Sequence, residues 1–337
     1  MTLLEQVDLG PLNTLALPAH ARYFAALEQA GQLPELLSWA QAKSLPTLVL
    51  GGGSNLILRG DWPGLALHMA LRGKRVERIP GGALVRVAAG ENWHELVQWS
   101  LGQGLYGLEN LTLIPGTAGA APIQNIGAYG VELADNLHSV RGWSLDENRE
   151  LEIAAADCAL AYRDSVFKNA LRGRFIVTEI TLRLRDNFAP VLTYPALASA
   201  LEGISQPSAE QVERAVRELR RSKLPDPAAL PNVGSFFKNP VIDAARFAEL
   251  RAHYPQIPSF AAAAGVKVPA AWLVDQCGWK GMRRGAVGVH TQQALVLIHY
   301  GGGSGEQLLA LAGDIARDVS ARFGIALELE PTVYGAA

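Results

Sequence analysis

Cysteine is scarce: Cys158 and Cys277 are the only two among 337 residues. Two thiols cannot build a disulfide framework, and their spacing fits no metal site, so both read as buried thiols in a reducing compartment. The seven histidines are scattered, and none has a partner at a metal-ligand spacing such as His-x-x-x-His. An excess of either charge is lacking too. Thirty Lys and Arg against 32 Asp and Glu leave −2 at neutral pH, which argues against a nucleic-acid partner or a polybasic membrane role. No run approaches the ~20 apolar residues that span a bilayer. The first residues include Glu5 and Asp8 and carry no basic-then-apolar export signal. The expectation is a cytoplasmic protein without membrane insertion, with enough chain for two or three domains and a large core.

What the chain does have is glycine concentrated in two places. Leu113 to Gly130 contains no charged residue and four glycines, Gly116, Gly119, Gly127 and Gly130. Without side chains in the way, such backbone can come within van der Waals reach of a flat or phosphorylated ligand. Pro115 and Pro122 stiffen the stretch, and Gln124 and Asn125 add amides suited to the edge of a heterocycle. A long structural turn across a core is the plain alternative. The second cluster follows the apolar run Thr47 to Leu50: Gly51-Gly52-Gly53, then Ser54 and Asn55, then Leu56-Ile57-Leu58. Successive N–H groups in such a turn make an anion-binding concavity. A dinucleotide-binding βαβ unit needs Gly or Ala where Leu56 stands, followed by a helix, whereas Leu56 to Leu58 reads as strand. A phosphate-binding P-loop fails as well, because no Lys follows the glycines.

Periodicity places helices at 33–43, from Asn92 to about Gly102, and near 243–253, 269–277 and 305–322. Strands are expected at 47–50, 83–88, 137–145, 149–153, 294–298 and 325–330, and a half-exposed one at 175–185. Ser208 with Gln211 has the form of a capping box opening another helix. The looser stretch 186–207 is the best boundary.

Several polar residues have two readings each. Ser235, in Gly234-Ser235-Phe236-Phe237-Lys238-Asn239-Pro240, is either a turn hydroxyl or a positioned proton donor; Phe237 rules out a G-x-S-x-G elbow. Arg163, in Tyr162-Arg163-Asp164-Ser165, offers a rigid fork for a carboxylate, or pairs structurally with Asp164. Alternation would put Glu328 and Glu330 on one face of a strand, where both would ordinarily be solvated. Lys223 at a helix end can complement the helix dipole. Tyr194 by itself reads as a packed aromatic of the linker.

Gly51-Gly52-Gly53-Ser54-Asn55 and Ile114-Pro115-Gly116 with Pro122-Ile123-Gln124-Asn125-Ile126-Gly127-Ala128-Tyr129-Gly130 resemble the flavin loops of the UDP-N-acetylmuramate dehydrogenase family, also called UDP-N-acetylenolpyruvoylglucosamine reductases. The resemblance runs from about Asn13-Thr14 to Glu330. It implies an α+β fold: an FAD-binding domain of the vanillyl-alcohol-oxidase and p-cresol-methylhydroxylase type over 1–186, in two α+β lobes of about 1–70 and 71–186. A linker, a tyrosine loop and a connecting helix would occupy 187–222. A C-terminal α/β substrate-binding domain over 223–337 would send its final strand back to the active site.

The resemblance further implies non-covalent FAD contacted by Gly51, Gly52, Gly53, Ser54, Asn55, Leu56, Gly116, Ala120, Pro122, Ile123, Asn125, Gly127, Ala128, Gly130 and Val177, with NADPH as reductant. Ser235 maps onto the family's general acid, Arg163 onto its carboxylate-binding arginine and, counting without gaps from Phe323-Gly324, Glu330 onto its catalytic glutamate. Tyr129, Tyr162, Tyr194, Lys223 and Asn239 map onto substrate contacts, Lys223 near the diphosphate, and Leu192-Thr193-Tyr194-Pro195 resembles the tyrosine loop of the longer subtype, in which Tyr194 would cover the bound diphosphate and nucleotide. Thr332 stands where the family usually has an arginine. The implied activity is reduction of an enolpyruvyl UDP-sugar in peptidoglycan precursor synthesis, by a monomer. The rival expectations are a flavin oxidase of related fold and a non-catalytic UDP-sugar-binding protein. Leu113 to Gly130 contains neither the His nor the Cys through which many such oxidases tether flavin.

Overall fold

The structure, a computed structural model, describes residues 2–262 and 264–335. Along the chain, β1 (Leu4–Asp8), β2 (His20–Leu27), α1 (Leu33–Ala42), β3 (Thr47–Leu50), β4 (Leu56–Leu58), β5 (Trp62–Met69), β6 (Lys74–Ile79), β7 (Gly82–Ala88) and α2 (Trp93–Gly102) lead to the long glycine loop. Two short strands in and after it, β8 (Gly127–Ala128) and β9 (Val131–Glu132), precede β10 (Leu137–Ser144), β11 (Arg149–Ala154), β12 (Phe175–Arg185), α3 (Pro195–Ala200) and α4 (Ala209–Lys223). Then come β13 (Asn232–Ser235), β14 (Val241–Ile242), α5 (Ala244–His253), β15 (Phe260–Ala262), β16 (Gly265–Lys267) and α6 (Ala270–Gln276). The last elements are β17 (Arg283–Arg284), β18 (Val287–Val289), β19 (Val296–His299), α7 (Gly305–Phe323) and β20 (Thr332–Tyr334).

The chain forms two compact units. The first comprises Met1–Val7, Ala21–Gly52 and Pro63–Ser222, and the second Asp8–His20, Gly53–Trp62 and Lys223–Ala337.

In the first unit one sheet has the order β1-β2-β5-β3, with β3 parallel to β5, and another the order β11-β10-β12-β7-β6. α2 begins where Asn92 Oδ1 accepts the Glu95 N–H, and its period of 3.6 buries Trp93, Leu96, Val97 and Ser100. The Ser208–Gln211 box opens α4 as expected: the Gln211 side chain accepts the Ser208 N–H and the Ser208 hydroxyl accepts the Gln211 N–H. β12 departs from its expected half-exposure. It lies between β10 and β7, so Thr178 and Thr181 are buried with their apolar neighbours, and exposure alternates only from Arg183 onward.

The second unit packs Leu15, Leu17 and Ile57 with Phe236, Phe237, Val289, Leu297, Leu308, Ile315 and Phe323. Its sheets run β13-β19-β18-β17, β14-β16-β15 and β20-β4. The buried His299 fixes the early segment here: its Nδ1 lies 2.8 Å from the Leu15 carbonyl, and Nε2 accepts the Gly303 N–H.

The strand expected at 325–330 is a correction. Ile325 to Glu328 belongs to no regular element, Leu329 makes a single bridge to Phe237, and the last strand is β20, parallel to β4 with Thr332 opposite Leu56. Pro331 has no N–H to extend the first pairing, so the chain leaves Phe236–Phe237 there and takes up β4. Glu328 and Glu330 therefore do not share a strand face. Among the described residues, no helix is long and apolar enough to cross a membrane.

Candidate active site

In the first unit the glycine loop is pinned at its start. Ala118 N–H donates to the Glu91 carbonyl and Gly119 N–H to the Ala89 carbonyl, fixing the 3₁₀ segment Ala118–Gln124 just past the end of β7. Gly51 and Gly52 lie directly against it: a Cβ on Gly52 would stand 2.9 Å from Gly116 Cα, and one on Gly51 2.7 Å from Thr117 Oγ1. The two glycine clusters thus meet nearly backbone to backbone. Pro115, Ala120 and Gly130 are exposed and Ile123, Gln124, Gly127, Ala128 and Tyr129 half-buried, which leaves an uncharged surface with glycine and alanine at several positions. Such a surface fits the flat ring and pyrophosphate of FAD.

Asn125 turns the loop. It is fully buried with φ +44°. Its Nδ2 donates to Glu132 Oε2 at 2.8 Å and to the Ala161 carbonyl at 3.2 Å, while Oδ1 accepts the Ala134 N–H at 3.0 Å. The amide expected to face a heterocycle is engaged inside the fold, so only its main chain is left to offer. Pro122 and Val177 are buried. Ser165 holds the loop from the other side, its hydroxyl donating to the Ile123 carbonyl at 2.6 Å.

Arg163 has φ +54°, and its Nη2 donates to the Gly127 carbonyl at 3.1 Å, with the guanidinium over the Tyr162 ring. Asp164 is engaged with the Ser165 N–H and the Asn169 amide. Tyr129 and Tyr194 meet edge to face, centroids 5.0 Å apart. Burial raises the pKa of the Tyr129 phenol, opposed by Arg220 and aided by Tyr194. Arg220 itself has a lowered pKa, from burial first; Tyr129 opposes that shift and Arg163 adds to it. Arg220 on α4 is therefore a second guanidinium near Tyr129 and Arg163, which sequence reasoning passed over. The signal was the pair Arg220-Arg221 close before Lys223.

In the second unit, Gly53 to Leu56 carries the chain into β4. Gly53 has φ +62°, and a Cβ there would lie 2.0 Å from the Leu12 carbonyl, so only glycine fits. Ser54 is half-buried and Leu56 buried. Asn55 grips the segment bearing Glu330 twice: Nδ2 donates to the Glu330 carbonyl at 3.5 Å, and its own carbonyl accepts the Thr332 N–H at 3.0 Å.

Ser235 ends β13 after a break in register with β19. Gly234 at φ +71° makes that break, and Asn232 braces it, accepting the Gly234 N–H and donating to the Pro225 and Leu230 carbonyls. Glu330 N–H donates to the Phe236 carbonyl at 3.0 Å, so the main chain sets Glu330 beside the residue following Ser235. Lys238 pairs with the exposed Glu328 at 2.5 Å. Asn239 Oδ1 accepts the Ala270 N–H at the start of α6. Lys223 is exposed at the end of α4.

Comparison with known proteins narrows the class first. Residues 21–146 match the FAD binding domain family. The whole fold is similar to that of 6-hydroxy-D-nicotine oxidase from Arthrobacter nicotinovorans, at 14% identity and TM-score 0.55, covering 96% of this chain and 86% of that one. The chain is thus an FAD-binding protein whose fold is shared with that oxidase.

The family follows from the rest. Residues 226–334 match the UDP-N-acetylenolpyruvoylglucosamine reductase C-terminal domain. The UDP-N-acetylenolpyruvoylglucosamine reductase of Cupriavidus pinatubonensis is 49% identical over 322 residues, 95% of this chain and 96% of that one. The crystal structure of the UDP-N-acetylenolpyruvylglucosamine reductase from Thermus caldophilus superposes with TM-score 0.66 at 23% identity, covering 99% and 98% of the two chains. The chain belongs to the UDP-N-acetylenolpyruvoylglucosamine reductase family.

Proposed function

We propose that this protein reduces the enolpyruvyl ether of UDP-N-acetylglucosamine enolpyruvate to UDP-N-acetylmuramate, in the cytoplasm, for peptidoglycan synthesis. FAD, when bound, supplies the hydride to the methylene carbon and is recharged by NADPH. Gly51, Gly52, Gly116, Ala120, Ile123, Gly127, Ala128 and Gly130 would hold it through backbone and small side chains, with Asn125 shaping the loop from beneath. Gly53, Ser54, Asn55 and Leu56 would contribute from the adjoining turn, and Pro122 and Val177 from behind the contact surface.

Hydride addition pushes negative charge onto the neighbouring carbon and its carboxylate. Fixed cations aimed at that charge lower the barrier more than ground-state binding does. Arg163 is assigned to the carboxylate, with Arg220 adding positive charge near it. Glu330 polarises the same group, and Ser235 delivers the proton to the carbon beside the carboxylate. Tyr129, Tyr162, Tyr194, Lys223 and Asn239 are assigned to the substrate, Lys223 to its diphosphate.

The observation that carries this reading is the Glu330 N–H to Phe236 carbonyl bond, which supports a proton donor and a carboxyl working on neighbouring backbone. An oxidase is not favoured, because the relatives that match along nearly the whole chain are reductases.

Stopped-flow absorbance on Ser235→Ala tests the assignment. Flavin reduction by NADPH should stay near normal while reoxidation by the enolpyruvyl sugar slows by about 10²–10⁴-fold. Equal slowing of both half-reactions contradicts the proton-donor role.

A further inference from the structure

Glu109 to Thr112, just ahead of the glycine loop, buries three polar side chains within four residues, at 4%, 3% and 0% exposure for Glu109, Asn110 and Thr112. Polar groups are buried at such density only when each has a partner, and here each reaches a different part of the first unit. Both Glu109 carboxylate oxygens accept the Gly107 N–H, at 2.9 and 3.0 Å. The Thr112 hydroxyl donates to Glu213 Oε1 of α4 at 2.8 Å. Asn110 lies between them and spans two loops. The two hydrogens of its Nδ2 go to the carbonyls of Tyr129, at 2.8 Å, and of Val191, at 2.9 Å.

Those carbonyls belong to the two segments whose contact defines the tyrosine loop. Tyr129 holds φ +50°, a conformation that persists in a non-glycine residue only where neighbours enforce it, and Gly130 follows at φ +87°. Beyond Val191, Thr193 Oγ1 sits 2.3 Å from where a Cβ on Gly130 would stand, and Tyr194 rests edge-on against Tyr129. One buried amide thus grips the base of the tyrosine loop and the turn on which that loop lands.

We propose that Asn110 is a positioning residue for substrate capture: its amide fixes the base of the loop at Val191 against Tyr129, so that Leu192–Tyr194 closes in a single place. The inference rests on the reading of Tyr194 as a substrate-covering residue. Both hydrogen bonds of the Asn110 amide go to main chain, so its effect passes through Tyr194.

A double-mutant cycle on the FAD-loaded enzyme separates this role from a purely structural one. Asn110→Ala should raise KM for the enolpyruvyl sugar by about tenfold with kcat within about twofold, as expected when the two bonds that hold the loop base against the Tyr129 turn are lost. In a Tyr194→Ala background the same change should add less than about twofold. An unchanged KM, or full multiplication of the two effects, overturns the proposal. Should Asn110→Ala not fold, amide hydrogen exchange on the wild-type chain decides: Leu192–Tyr194 and Tyr129–Gly130 should slow together on adding the enolpyruvyl sugar. Slowing of one without the other overturns it. A wild-type enzyme that binds this sugar but does not reduce it defeats the proposed reaction instead, and the exchange result still bears on Asn110.

Discussion

The two units secure their functional segments by different means. In the first, the glycine loop is held by buried polar side chains: Asn125 to Glu132, Ala134 and Ala161, Ser165 to Ile123, Asn110 to Tyr129 and Val191. In the second, Ser235 and Glu330 are carried on segments joined mainly by main-chain bonds over an aromatic base. Glu330 donates to the Phe236 carbonyl, Lys238 N–H donates to the Glu328 carbonyl, and the Phe236 and Phe237 rings pack beneath at 5.6 Å. A loop that must keep irregular backbone open to a ligand cannot satisfy itself with a ladder, so side chains supply the missing partners. A strand pair needs only an apolar floor. The first arrangement is therefore sensitive to the chemistry of single side chains and to pH, the second to volume.

The largest test of this contrast is Phe237→Ala. The ring is 1% exposed, and its removal should cost about 4 kcal/mol in urea unfolding. Because no charge is involved, the loss should be the same at pH 5 and pH 8. A cost under about 1 kcal/mol would mean that the pairing, not the floor, carries the segment.

Asn125→Ala comes next. It strands the Ala134 N–H, the Ala161 carbonyl and Glu132, which should cost about 2 kcal/mol and release FAD from the purified protein. Retention of stoichiometric flavin with unchanged stability would show that the backbone holds the turn alone.

The smallest effect concerns pH. Burial tends to raise the pKa of Glu91, but the Lys74 ammonium, 2.5 Å away, and the Gly73 N–H outweigh it, so the net shift is downward. A carboxyl with a depressed folded pKa contributes stability above its unfolded value, and that contribution disappears as pH falls through the folded value. The gap between wild type and Glu91→Gln should therefore be full at pH 7 and close on acidification below the ordinary glutamate range. A gap independent of pH removes the ion pair from the explanation.

Much of this was legible in sequence because its causes are local. Asn92 before the apolar period announces α2, and the Ser208–Gln211 box announces α4. What escaped depends on distant partners. The segment ending at Glu330 has the alternation of a strand, but Pro331 and the pull of β4 decide where pairing occurs. β12 looks half-exposed by pattern and is buried because two other strands flank it. Asn110 carries no local mark either, since it is defined by two carbonyls far along the chain, and the basic helix end that holds Arg220 does not tell which of its cations turns toward Tyr129.

The β4–β20 pairing has an implication for how the molecule is made. Leu56–Leu58 leaves the ribosome early, whereas its partner Thr332–Tyr334 follows some 270 residues later. At ~5–20 residues per second, that is a wait of roughly 15–55 s. Through that interval the nascent second unit has an apolar strand with no mate, whereas the first unit has every stretch of sequence it needs once Ser222 has been made. A cell making this protein must keep Leu56–Leu58 from finding a foreign edge for the whole of that delay.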